Sequence, residues 1–288
     1  MIWALPFIFI FVIILWGYLS STLILKTSKT PITVTARSFG YEMEPFRTTA
    51  EDEVGIEGWF VKCRKKSRTT IFILHGWGAS RSDIVPSTIF LGEHYNLVYF
   101  DFRNHGDSKG ELSSLTCSEI KDYTAVVKYI RQHWRESSEQ IAVYGFSMGA
   151  SVAISGSTRI PEIKAVIAES PFCSFNETVA RFAYRFYSIP RFIVPLTLIA
   201  VRLRLGFDPE DCSPLYHVAK LSPRPLFIIQ AGSDFRMPPT EGQGLYETAK
   251  EPKEIWLVPG ADHGEIFEKE GAEYQRRILD FYQKWLKI

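Results

Sequence analysis

The sequence predicts an α/β protein: a mainly parallel, eight-stranded-type sheet with helices on both faces, an inserted helical lid and an N-terminal apolar helix. Three observations predict it. From about residue 55 to the C-terminus, short β-rich runs alternate with helical segments, the pattern of parallel strands joined by crossover helices. One stretch, 172–213, breaks that alternation and holds no clear strand. Residues Ile2 to Leu25 carry no charged side chain.

The N-terminal run comes first. Its twenty-four residues, if helical, reach ~36 Å, enough for a ~30 Å hydrocarbon core with some tilt. Residues 1–25 are therefore expected to form a single transmembrane anchor, with Trp3, Trp16 and Tyr18 suited to interfacial positions. A cleavable signal peptide is the alternative. Against it, no basic region precedes the run, and Ser20-Ser21-Thr22 is a weak cleavage site. The flanking charges, Lys26, Lys29 and Arg37, all lie on the C-terminal side, so the positive-inside bias favours a cytoplasmic domain.

Residues 26–50 read as a linker and 51–288 as one globular domain. Strands are expected at Ile56–Cys63, Thr69–Leu74, Asn96–Phe102, Gln140–Gly145, Lys164–Ala168, Pro225–Ala231 and Glu254–Val258, each a short apolar run bounded by turn residues. Helices fall between them. One covers 81–93, interrupted near Pro86. Thr116-x-x-Glu119 is a candidate capping box opening a helix with Ile120, Tyr123, Val127, Ile130 and Trp134 on one face. Met148–Thr158 is rich in small residues, as suits a helix packed closely on a sheet, and 271–287 carries Tyr274, Ile278, Phe281 and Trp285 at helical spacing. In 172–213, Arg181, Arg185, Arg191, Arg202 and Arg204 interleave with aromatics and aliphatics, and Pro190 and Pro195 divide the stretch into short helices; it is expected to be a lid.

Composition narrows the function classes. Hydrophobic residues are 46% and charged residues 23%, which fits a packed core. A net charge of +1 argues against nucleic-acid binding, which needs a basic excess. The cysteines, Cys63, Cys117, Cys173 and Cys212, show no metal-ligand rhythm. Four buried free thiols is the simplest reading; a Cys173–Cys212 bond bracketing the lid is the sharper one, and would persist only in an oxidising compartment. No metal-binding pattern and no phosphate-binding glycine loop occurs, so neither metal nor nucleotide is expected.

The strongest chemical signal is Gly145-Phe146-Ser147-Met148-Gly149, directly after the strand Ile141–Tyr144 and directly before a helix. A serine hydroxyl needs exposure and a neighbouring base to become a nucleophile. A sharp strand-to-helix turn supplies the exposure, and glycines at its ends allow backbone to approach where a Cβ would not fit. The helix that follows aims its N-terminus at the reacting centre, where negative charge develops.

With three further motifs in order, the chain resembles the α/β-hydrolase serine hydrolases over roughly residues 55–288. These are His75-Gly76-Trp77-Gly78, Asp101-Phe102-Arg103-Asn104-His105-Gly106-Asp107-Ser108, and the late Asp234 and His263. It is similar to single-span, membrane-anchored members related to monoacylglycerol lipases and serine aminopeptidases. The resemblance implies Ser147 as nucleophile, His263 as base and Asp234 as the acid that orients it, in the order Ser…Asp…His. It implies that the N–H groups of Trp77 and Met148 hold the oxyanion, with His75 shaping the loop. Asp262 and Glu169 are alternative acids, and Asp101–Ser108 is expected to stabilise a crossover. No cofactor is implied.

The apolar, arginine-bearing lid has two readings: it simply packs on the domain, or it forms an acyl-chain pocket facing the bilayer, which implies a small-molecule or lipid acyl substrate. Cleavage of an ester, thioester or lipid acyl bond is the first expectation, an aminopeptidase-like activity the second, and a non-catalytic tethered binding domain the third.

Overall fold

The computed structural model describes residues 5–286, with the backbone alone for Leu5, Pro6 and Phe9. Eight strands, β1 (Met43–Thr49), β2 (Gly55–Val61), β3 (Thr69–Leu74), β4 (Asn96–Phe100), β5 (Gln140–Phe146), β6 (Ile163–Glu169), β7 (Leu226–Ala231) and β8 (Lys253–Val258), form one sheet. Their order is β1-β2-β4-β3-β5-β6-β7-β8. β2 runs antiparallel to β1 and β4, and all other neighbours are parallel. The helices are α1 (Leu5–Leu25), α2 (Val85–Thr88), α3 (Cys117–His133), α4 (Met148–Ser157), α5 (Phe175–Tyr187), α6 (Val194–Leu205), α7 (Pro239–Thr248), α8 (Ile266–Glu270) and α9 (Ala272–Trp285).

The central strands are buried on both faces, which is why they read as unbroken apolar runs rather than alternating ones. Alternate residues feed two cores. Phe72, Val98, Val143, Val166 and Ile228 pack with Ile120, Tyr123 and Ile130 of α3 and Ile154 of α4. Ile71, Ile73, Leu97, Tyr99 and Ile167 pack on the other face with Tyr274, Ile278 and Phe281 of α9. With the parallel strands aligned, the loops after β3, β5, β7 and β8 gather at one edge of the sheet, the edge at which α/β sheets build their sites.

The structure departs from expectation at four places. The stretch expected as linker contains β1, paired along its whole length with β2. Of its residues only Phe46 is buried, so this edge strand leaves no apolar run in the sequence. Cys117 and Cys212 are disulfide-bonded, with Cα atoms 5.3 Å apart, in place of Cys173 and Cys212 or four free thiols. Cys173 is turned away, its Sγ 2.9 Å from the carbonyl oxygen of Glu241, while Cys212 packs against the start of α3. The capping box does not form: Thr116 makes no cap bond, and Glu119 accepts instead from the N–H and hydroxyl of Ser114.

The fourth departure concerns α1, whose C-terminal half packs on α6. Among the described residues no helix is long and apolar enough to cross a membrane. The side chains of α1 are described without a break from Ile10 to Leu25, and residues 2–4 at the start of the expected span, Trp3 included, lie outside the described residues.

Candidate active site

β5 delivers Ser147 into a turn that only its neighbours make feasible. Ser147 adopts φ +54°, the left-handed region, between β5 and the first residue of α4. A Cβ on Gly145 would collide with the carbonyl of Gly149, and one on Gly149 with the carbonyls of Leu74 and His75 at the end of β3. Both glycines are therefore required by backbone contact. The strained turn leaves Ser147 partly reachable, at 8% exposure.

Three side chains that are far apart in sequence meet at this turn. The hydroxyl of Ser147 lies 3.0 Å from His263 Nε2, and His263 Nδ1 lies 2.7 Å from Asp234 Oδ2. Asp234 follows β7 and is only 3% exposed. Its other oxygen accepts from the N–H groups of Arg236 (2.8 Å) and Met237 (2.7 Å). That leaves Oδ2 for the imidazole, which fixes the proton on Nδ1 and leaves Nε2 as acceptor for the serine proton.

Among the described residues, neither alternative acid bonds to the imidazole ring. Asp262 Oδ1 accepts from the N–H groups of Phe235 (2.9 Å) and His263 (2.7 Å), and these bonds lower its pKa. It shapes the loop that carries the imidazole without bonding to the ring. Glu169 is fully buried at the end of β6, where it accepts from Tyr144 (2.6 Å) and Tyr274 (2.8 Å), and burial raises its pKa. Its backbone carbonyl accepts from Ser147 N–H at 2.8 Å, so this segment buttresses the turn.

The loop after β3 lies against the serine: a Cβ on Gly76 would be 3.3 Å from that of Ser147. Among the described residues, no intramolecular acceptor is found for the N–H of Trp77 or Met148. Two buried histidines hold this loop. His75 donates from Nδ1 to Gly76 O (2.7 Å) and accepts at Nε2 from Phe102 N–H (3.0 Å). His105 donates from Nδ1 to Arg103 O (2.7 Å) and accepts at Nε2 from Gly78 N–H (3.0 Å). Burial lowers their pKa values to about 4 and about 3, so both are neutral and their tautomers are set by these partners. In the sequence His105 reads only as part of a crossover motif. Its direct hold on Gly78 follows from the parallel pairing of β3 with β4, which sets the two loops side by side.

The rest of Asp101–Ser108 is structural. Asp101 pairs with Arg81 and accepts from the N–H groups of Arg81 and Asp107, while Arg103 bridges Asp122 and Asp52. Above the serine sits a cavity of about 550 Å³. Met148, Phe172, Val179, Phe182 and Met237 line it, together with Leu23 and Ile24 of α1.

Comparison with known proteins bears on the family and the fold. Residues 26–197 match the X-Pro dipeptidyl-peptidase (S15) family, and residues 113–288 match the prolyl oligopeptidase (S9) family. The chain is 25% identical to YqkD of Bacillus subtilis over 250 residues, covering 85% of this chain and 76% of that protein. It is 26% identical to YfhR of Escherichia coli K12 over 249 residues, covering 84% and 81%. The structure superposes on the esterase Pf2001 of Pyrococcus furiosus with a TM-score of 0.78 and 29% identity, covering 92% of this chain and 99% of that one. The acylaminoacyl peptidase of Pyrococcus horikoshii shares the fold at a TM-score of 0.66 and 16% identity, covering 85% of this chain and 42% of that one. Each family match spans more than half of the chain, with β5, Ser147 and α4 in the overlap. The chain belongs to the serine hydrolases of the α/β-hydrolase fold, in the group that the S15 and S9 families describe.

Proposed function

We propose that the protein hydrolyses carboxylic esters, thioesters or lipid acyl bonds through an acyl-enzyme on Ser147. His263 Nε2 takes the hydroxyl proton as Oγ attacks the carbonyl carbon. Asp234 stabilises the imidazolium that forms. The N–H groups of Trp77 and Met148 receive the oxyanion, each worth ~3 kcal/mol. His263 then hands the proton to the leaving alcohol or thiol, the carbonyl reforms, and water repeats the cycle to release the acid.

One observation carries the ester reading over a peptidase: the character of the cavity. At about 550 Å³ it falls within the roughly 300–1,000 Å³ of small-molecule sites. Among the described residues Asp83 is the one carboxylate that lines it, and it is already engaged by the N–H and hydroxyl of Ser80. A free α-amine would have no unpaired anion to meet, whereas an acyl chain meets Phe172, Val179 and Phe182. The S15 and S9 families are named for peptidases, which makes aminopeptidase-like cleavage the competing reading. Turnover of p-nitrophenyl octanoate with no turnover of Xaa-Pro or acylaminoacyl amides is expected. Amide cleavage at rates matching the ester would sink the ester reading.

Membrane attachment through α1 belongs to the same proposal. It is supported by the charge-free run from Ile2 to Leu25 and by the exposure of Phe7, Phe11 and Ile14 on α1. The Cys117–Cys212 bond supports a catalytic domain on an oxidising, non-cytoplasmic side. Two of the three charges that favour the opposite side have local partners: Lys29 donates to Ser108 O and Arg37 to Met43 O. Protease accessibility of the domain in intact cells tests this, and protection would reverse it.

A further inference from the structure

The cavity above Ser147 extends past the helices of 172–213 and reaches α1, where Ser20, Leu23 and Ile24 form part of its wall. An N-terminal helix that served only as a tether would have no reason to meet the substrate cavity. Here it is held against the cavity at two levels.

The first is a close helix crossing. Gly17 lies against α6 so tightly that an added Cβ would sit 3.1 Å from that of Ala200. One turn on, the hydroxyls of Ser20 and Thr197 are 2.9 Å apart. Arg204 donates to the hydroxyls of Ser21 and Thr22, both at 2.8 Å, and its guanidinium stands 4.9 Å from the Tyr18 ring. Small residues at the contact with polar groups between them are how helices pair where water is scarce.

The second level is the chain that follows. Leu25 O accepts from Ser113 N–H (2.7 Å) and Asn104 Nδ2 (3.1 Å). Thr27 donates to Asn104 O at 2.6 Å, and Thr30 donates to Gly78 O at 2.7 Å. Gly78 belongs to the loop lying against Ser147, so α1 is fixed relative to the serine. Away from that contact, Phe11 and Leu15 point outward.

We infer that α1 is one wall of the acyl-binding slot, and that the substrate is a single-chain acyl amphiphile whose tail enters along α1 from the lipid layer. This rests on the acyl-hydrolase and membrane-attachment readings above. The helix that attaches the protein to the membrane thereby also measures the acyl chain. Each methylene added within the slot raises kcat/KM about fourfold, the equivalent of its burial.

The test uses the full chain in lipid nanodiscs with p-nitrophenyl esters from acetate to palmitate. Ile24→Trp and Leu23→Trp intrude on the slot, while Phe11→Ala changes the outward face and leaves the profile as in the unmodified protein. With either intruding variant, the ratio of kcat/KM for decanoate over acetate is expected to fall at least tenfold. An unchanged ratio, or equal losses on both esters, would overturn the wall assignment. If the acyl-hydrolase reading itself fails, the unmodified protein hydrolyses no ester of any length, a result that cannot be confused with a changed ratio.

Discussion

Exchanging Asp234 or Asp262 for asparagine separates two carboxylates that both stand next to the same imidazole. In Asp234→Asn, Oδ1 still accepts from the N–H groups of Arg236 and Met237, which hold it at 2.8 and 2.7 Å. The amide nitrogen must then take the place of Oδ2 and point N–H at His263 Nδ1. The imidazole answers by moving its proton to Nε2, where it faces Ser147 Oγ and can no longer accept. A wrong tautomer with intact geometry costs about 10⁴ in kcat, or ~5 kcal/mol. In Asp262→Asn, Oδ1 can keep both of its bonds, to Phe235 N–H and His263 N–H. Only an exposed charge is lost, and a change below about tenfold is expected. Steady-state hydrolysis of p-nitrophenyl butyrate reads both variants, with thermal melting to confirm folding. If Asp262→Asn proved the more damaging, or if Asp234→Asn kept a tenth of the activity, the assignment of Asp234 would be refuted.

Three further predictions follow from the surrounding structure. Gly149→Ala drives a Cβ into the carbonyls of Leu74 and His75 and should cost about 1–3 kcal/mol or more, lowering Tm by ~2–4 °C for each kcal/mol; an unchanged Tm would show that the turn can relax. His75 and His105 titrate near 6.5 when unfolded but only at about 4 and about 3 when folded. The unfolded chain therefore binds more protons at these two groups in that window, so their contribution to stability is fully present above pH 6.5 and is lost as pH falls toward 4 and 3. In His105→Gln, whose side-chain oxygen can still accept from Gly78, the acid slope of Tm should be shallower, and an identical slope would contradict the assignment. Reducing Cys117–Cys212 should lower stability by about 2–4 kcal/mol. Before reduction, maleimide should label only Cys63 and Cys173 of the denatured chain; labelling of all four would disprove the bond.

What the sequence makes legible is what sits on regular elements. The runs Thr69–Leu74 and Gln140–Gly145 stand out because strands buried on both faces are apolar at every position, and the Gly145–Gly149 turn because its glycines answer to backbone collisions. Asp234 and His263 are nominated by the family resemblance, and both follow strands that end at the same edge. β1 is hidden because only Phe46 faces the core. The partner of Cys212 is hidden because Cys117 lies 95 residues away and meets it only when α3 packs beneath the insertion. The docking of α1 is hidden because a helix apolar on every face gives no sign of which face is covered. Its one trace is the small residues Gly17, Ser20 and Ser21, three and four apart.

The measurement closest to the central claim is covalent labelling by a fluorophosphonate in the full-length, membrane-reconstituted protein, compared with Ser147→Ala and His263→Ala. An activated serine predicts rapid labelling of the unmodified chain, none in Ser147→Ala, and labelling slowed by orders of magnitude in His263→Ala. Labelling that persists in Ser147→Ala, or a folded unmodified protein that does not label, would contradict the account.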